Sequence, residues 1–239
     1  MQIFKLEAGI QKYQWGSSTA IPALLGIENP GNEKLAELWM GAHPKSPSKI
    51  IYKGRKIPLE DCIKNEPEGI LGADVVRRFG SNLPFLFKVL AAGTPLSIQA
   101  HPDTSQAQAG FKRENDSHIP LDGPERNYRD SNHKPELLCA LTPFWLLAGF
   151  RKADELIVEL YSLNLKSIRR EIDEFKNKPD QHGFKEFFER IMSLSRARCE
   201  TFVDEVVEAA KDRAASKYQW IIKLNTHFPG DIGVIAPLL

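Results

Sequence analysis

Two textures of hydrophobic patterning divide the sequence. From residue 1 to about 150, short apolar or alternating runs are separated by Pro and Gly: ELWMGAHP, SKIIY, PFLFKVL, LSIQAH, PELLCAL and FWLLAGF. That spacing predicts strands. Short helical patterns interrupt them, one in SSTAIPALLG behind the candidate caps Ser17 and Ser18, another after Asp103. From Arg151 to about residue 227, Pro and Gly thin out, charges multiply and apolar residues recur at helical spacing. Phe184, Phe187, Phe188, Ile191 and Met192 make one stripe, and Phe202, Val203, Val206, Val207 and Ala210 make another. Such stripes predict helices packed on a shared core. After Pro229 and Gly230, GDIGVIAPLL reads as β structure resuming. The expected fold is therefore mixed α and β: a strand-rich region 1–150, an all-helical region 151–227, and the start of a returning β region at 228–239.

Composition narrows the function classes. A chain of 239 residues with 42% hydrophobic content can bury one large core or two modest ones. Lys plus Arg number 32 against 31 acidic residues, so the formal charge of +1 offers no long-range attraction to a polyanion. Nucleic acid is not an expected partner. No apolar run approaches the roughly 20 residues of a membrane span, and no secretory leader is evident. The 3 cysteines, Cys62, Cys139 and Cys199, are widely spaced and form no C-x-x-C pair. Free thiols in a reducing compartment, and hence a cytoplasmic location, are the expectation.

Candidate chemistry sits in two segments. In LSIQAHPD, strand alternation puts Leu96, Ile98 and Ala100 on one face and Ser97, Gln99 and His101 on the other. Gln99 and His101 would then project side by side as an amide oxygen and an imidazole nitrogen. From this piece alone, an ordinary strand with a wet polar face is the favoured reading. In SNHKPELLCAL, Lys134 and Glu136 share a face, a pattern that also describes a surface ion pair worth about 0–1 kcal/mol. Brought beside His101 and Gln99, Glu136 would complete an N/O ligand set suited to a borderline divalent cation.

LSIQAHPD, DSNHKPE and PFWLLAGFR, with QKYQWG near the start and ELWMGAHP between, resemble type I phosphomannose isomerase across essentially the whole chain. The resemblance implies a cupin-type jelly-roll domain with a helical domain inserted after it. It also implies zinc held by Gln99, His101 and Glu136, and interconversion of mannose 6-phosphate and fructose 6-phosphate through an enediol. Lys134 is the implied catalytic residue. Ser97 resembles a position that touches the substrate phosphate, and Trp15 and Glu37 lie in segments that match the family's pocket. The family's fourth ligand, a histidine, and a catalytic arginine belong to a C-terminal jelly roll beyond GDIGVIAPLL. The chain is therefore expected to be incomplete and weakly active or inactive. The alternative is a non-catalytic cupin module that binds metal or sugar phosphate. Among the other histidines, His43 and His133 read as structural, His118 and His182 as surface positions, and His227 falls before the last segment and is not promoted to the missing ligand.

Overall fold

A computed structural model describes residues 3–239. It divides into two compact units, one ending at Leu96 and the other running Ser97–Leu239. In the first, β1 (Gly9–Gln11), β2 (Glu37–Met40) and β5 (Phe87–Leu90) form an antiparallel sheet with β2 in the middle, Gly9 opposite Trp39 and Leu38 opposite Val89. Ile21 of α1 (Ala20–Leu25), Leu35, Leu38 and Ala91 are buried together beneath it. The Ser17 hydroxyl accepts the backbone N–H groups of Thr19 and Ala20 at the start of α1, while Thr19 occupies the cap position.

A second ladder pairs β3 (Lys49–Tyr52) with β4 (Arg55–Pro58). The two-residue turn between them has φ of 47° at Lys53 and 78° at Gly54, the doubly positive geometry that matches strand twist. Three short helices follow: α2 (Leu59–Asn65), which packs on this hairpin, α3 (Pro67–Leu71) and α4 (Ala73–Phe79).

The second unit begins with α5 (Thr104–Asp116) and continues with α6 (Ala153–Ser162), α7 (Arg169–Asn177), α8 (Gln181–Met192), α9 (Arg196–Lys211) and α10 (Ser216–His227). The two apolar stripes do what such stripes require. Phe187 and Ile191 of α8 and Phe202, Val203, Val206 and Ala210 of α9 are buried in one core with Leu156, Ile172, Phe175 and Ile221. Met192 departs from this pattern: at the end of α8 it is exposed. Polar groups stitch the helices as well. The Glu205 carboxylate on α9 accepts the backbone N–H groups of Lys166 and Ser167, both at 3.0 Å, just ahead of α7.

Several strand expectations are corrected. LSIQAH, PELLCAL and FWLLAGF adopt no ladder among the described residues. A strand borrows its hydrogen bonds from a neighbour, and no described segment supplies one. Among the described residues, the strands that do form make a three-stranded and a two-stranded sheet, which with the helical unit gives the expected mixed α and β fold. The final segment is also not β: Ile232–Leu238 is a 3₁₀ helix, started by the Asp231 carboxylate accepting the Gly233 N–H at 2.7 Å. Val234, Ile235 and Leu238 are buried in the helical core, and the Arg151 guanidinium donates to the carbonyls of Leu238 (3.0 Å) and Pro237 (3.2 Å). Burial among helices outweighs the β propensity of Val and Ile once no ladder is on offer.

Phe202 is fully buried at the centre of that core. Replacing it by Ala is expected to cost about 3–5 kcal/mol, read as a fall in the urea midpoint of the helical signal. A loss under about 1 kcal/mol would contradict the packing described.

Candidate metal site

The two motif segments meet because α5 and the loop behind it act as a spacer. QAHPD runs into α5 at Asp103, whose carboxylate accepts the Gln106 N–H at 2.8 Å while the Gln106 side chain accepts the Asp103 N–H at 3.0 Å. This reciprocal capping box fixes the direction in which the chain leaves the motif. The backbone N–H of Gln106 and the hydroxyl of Ser105 hold the Asp103 carboxyl below its ordinary value.

At the far end of α5 the chain turns back, and a buried ion pair secures it. Arg126 Nε lies 3.2 Å from Glu114 Oε2, with side chains 0% and 6% exposed. Neither charge lacks partners. Glu114 accepts the backbone N–H of Tyr128 at 2.8 Å and both the backbone and side-chain nitrogens of Asn127 at 3.1 Å. Arg126 also donates to the carbonyls of Tyr128 (2.6 Å) and Ile119 (2.9 Å) and to Asn115 Oδ1 (2.7 Å). Burial alone would push the Glu114 carboxyl up, but the donors from Tyr128 and Asn127, together with the Arg126 charge, outweigh it and hold it low. Tyr128 lies flat enough on α5 that a Cβ on Gly110 would fall 2.5 Å from its ring.

From there the chain returns to the N-terminal end of α5, where His133 Nδ1 lies 3.0 Å from Thr104 Oγ1. This contact joins NHKPE to HPD. Across it, His101 Nε2 sits 3.4 Å from Gln99 Oε1, and His101 Nδ1 sits 3.8 Å from Glu136 Oε2. Lys134 Nζ lies 3.5 Å from Glu136 Oε1. The structure thus gathers Gln99, His101, Lys134 and Glu136, all in the Ser97–Leu239 unit. Ser97 is exposed two residues before Gln99.

Trp15 and Glu37 belong to the other unit. Trp15 stacks on Tyr13 with ring centroids 5.6 Å apart. Glu37 is buried, and both of its oxygens are taken, by Trp39 Nε1 at 2.8 Å and Lys88 Nζ at 2.9 Å. Of the remaining histidines, His118 is exposed and His182 pairs with Glu186 at 2.9 Å on α8. No group of three or more His, Cys, Asp or Glu among the described residues could hold a metal. The trio needs the amide oxygen of Gln99 to reach three donors.

Sequence reasoning missed Thr104, Glu114, Arg126 and Tyr128. One signal was present: Gly110 in mid-helix costs about 1 kcal/mol relative to Ala, which hints at a close approach.

The chain matches known proteins along its length. Residues 3–153 match the catalytic domain of type I phosphomannose isomerase, and residues 154–239 match that family's helical insertion domain. Mannose-6-phosphate isomerase of Escherichia coli is 40% identical over 236 residues, 98% of this chain and 60% of its own length. The Saccharomyces cerevisiae protein of that name is 32% identical over 269 residues, with 100% of this chain and 60% of its own covered. Among solved structures, a zinc-bound mannose 6-phosphate isomerase superposes with a TM-score of 0.91 at 39% identity, covering 99% of this chain and 59% of that one. The Salmonella typhimurium enzyme bound to fructose 6-phosphate and zinc gives the same TM-score, 0.91, at 39% identity, again covering 99% of this chain and 59% of that one. The chain spans about 60% of the length of the curated relatives it matches.

Because the folded Asp103 carboxyl lies below its ordinary 3.8, its stabilising effect is complete above that value and drains away as pH falls through the lower folded one. An Asp103→Asn variant should therefore be less stable than the parent at pH 7, with the gap narrowing toward pH 2 in chemical denaturation. A gap independent of pH would show that charge plays no part in the cap.

Proposed function

The chain belongs to the type I phosphomannose isomerase family, and from that premise we propose that Gln99, His101 and Glu136 are three ligands of a zinc site serving the interconversion of mannose 6-phosphate and fructose 6-phosphate. The supporting observation is that two separate segments bring an amide oxygen and a carboxylate to one imidazole, Gln99 Oε1 at 3.4 Å from His101 Nε2 and Glu136 Oε2 at 3.8 Å from His101 Nδ1. The donor set fits. Ligand atoms about 2.0–2.1 Å from a tetrahedral zinc stand about 3.3–3.4 Å apart, which is the separation of Gln99 Oε1 and His101 Nε2, 3.4 Å. Glu136 approaches the imidazole from its other nitrogen with a side chain 48% exposed.

Moving a carbonyl between C1 and C2 of a sugar takes a proton from one carbon and returns one to the next through an enediol. When bound, zinc supplies Lewis-acid polarisation of the sugar oxygens or orients the group that does so. Glu136 is assigned to the metal and not to proton transfer, since a ligated carboxylate loses basicity. Lys134, next to it, is the residue placed to donate hydrogen bonds to sugar oxygens or to hold a proton at Nζ. The exposed hydroxyl of Ser97 suits a phosphate oxygen. Trp15 stays a proposed substrate-binding residue on the family resemblance of its segment. Glu37, with both oxygens occupied, contributes by holding Lys88 and Trp39 and not by direct contact. The three free thiols support the reducing cytoplasm as the compartment, and no helix among the described residues is long and apolar enough to cross a membrane.

With three donors on exposed backbone, affinity is expected to fall short of a closed four-ligand site. Equilibrium dialysis of the 239-residue chain should show zinc binding that His101→Ala weakens by more than roughly tenfold, the lower bound set by losing a mere supporting contact. Equal binding by both proteins would remove His101 from the ligand set. The same chain alone should turn over little mannose 6-phosphate; robust zinc-dependent turnover would show that three ligands and these residues suffice.

A further inference from the structure

The leg of chain that returns from the far end of α5 to its start has no backbone ladder to guide it. Among the described residues, no backbone–backbone hydrogen bond involves positions 127–133, so side chains fix its course. Glu114 accepts the backbone N–H groups of Asn127 at 3.1 Å and Tyr128 at 2.8 Å, and Arg126 donates to the Tyr128 carbonyl at 2.6 Å. The Tyr128 ring also lies 5.7 Å from the Arg113 guanidinium on α5. At the other end of the leg, His133 meets Thr104 at 3.0 Å.

These two anchorages leave little slack. From Thr104 to Glu114 along α5 is ten residues, about 15 Å at the helical rise. From Tyr128 to His133 is five residues, which reach about 17–18 Å when fully extended. A slip that put Arg129 where Tyr128 sits would leave four residues, about 13–14 Å, too short to bring His133 back to Thr104. A slip the other way would carry His133 past it. Glu136 follows three residues later, on backbone that makes no ladder of its own, so its 3.8 Å approach to His101 depends on where His133 lands.

An apolar pair could fill the space of Glu114 and Arg126 without the desolvation of two buried charges. The charged pair adds selectivity for one register, because a carboxylate accepts only from N–H groups and a guanidinium donates only to acceptors. Resting on the metal site proposed above, we propose that Glu114, together with Arg126, is a positioning residue for that site. The pair sets the register of residues 127–133 against α5 and thereby delivers Glu136 to His101, without touching any of the proposed ligands.

Removing Arg126 alone would strand a buried carboxylate and unfold the loop for that reason. The test therefore uses the double variant Glu114→Leu with Arg126→Met in the 239-residue chain, an exchange of a buried ion pair for apolar side chains that commonly preserves stability. Its helical circular dichroism and urea midpoint should match the parent's. In zinc-free protein, the nuclear Overhauser contact between the Thr104 side chain and the His133 ring should be lost, and zinc affinity in equilibrium dialysis should fall by about 10–100-fold, the range for lost supporting contacts. If the double variant does not fold, Glu114→Gln carries the test: it keeps the length and one acceptor oxygen but turns an amide donor toward a backbone N–H, so the same two losses are expected in milder form. A folded variant of either kind that keeps the Thr104–His133 contact, or that loses it yet binds zinc as tightly as the parent, would overturn the proposal. Because the contact is read without zinc, the positioning role can fail while His101→Ala still weakens zinc binding, and the ligand assignment can fail while the contact still responds.

Discussion

A buried charge is tolerated only when every side of it is matched, and the pairing of Glu114 with Arg126 meets that demand with the backbone itself. The carboxylate takes the N–H groups of the returning loop, while the guanidinium takes its carbonyls. A hydrophobic pair of equal volume could fill the space but could not specify the register of residues 119–128 against α5. That register decides where residue 133 arrives, and hence whether His133 meets Thr104 and whether Glu136 comes within reach of His101. The metal chemistry proposed for this chain depends on a salt bridge that touches none of the proposed ligands.

What could be read from the sequence follows from how each element satisfies its backbone. A helix closes its own hydrogen bonds, so an apolar stripe is enough to announce it: Phe202, Val203, Val206 and Ala210 were placed correctly, and they are buried. A strand depends on a neighbour that its own pattern does not name. ELWM, KIIY and FKVL found neighbours and became β2, β3 and β5, whereas LSIQAH, PELLCAL and FWLLAGF have equally good patterns and found none. The hairpin return at Arg55–Pro58 went unread because its turn uses Lys53 at positive φ, where Asn or Asp would have signalled it. In the final segment, Val234 and Ile235 suggested β structure, but proximity to a helical core decided otherwise.

The site was legible in a different way. Alternation placed Gln99 and His101 together for the wrong reason, since Leu96–Pro102 forms no ladder among the described residues, yet the two side chains do meet, at 3.4 Å. Spacing of two in an extended backbone suffices, paired or not. What no pattern could supply was the approach of Glu136, because it rests on tertiary contacts made by Gly110, Glu114, Arg126 and Tyr128.

Exposure marks how lightly the proposed site is held. Glu136 is the residue before Leu137, which is 98% exposed, and no backbone–backbone hydrogen bond among the described residues involves either of them. Side chains hold this backbone instead: His133 meets Thr104 at 3.0 Å, and Glu136 meets Lys134 at 3.5 Å and His101 at 3.8 Å. A metal bound there would have to restrain conformational freedom that the fold leaves in place, and restraining it lowers the affinity that the same donors would reach on a rigid backbone.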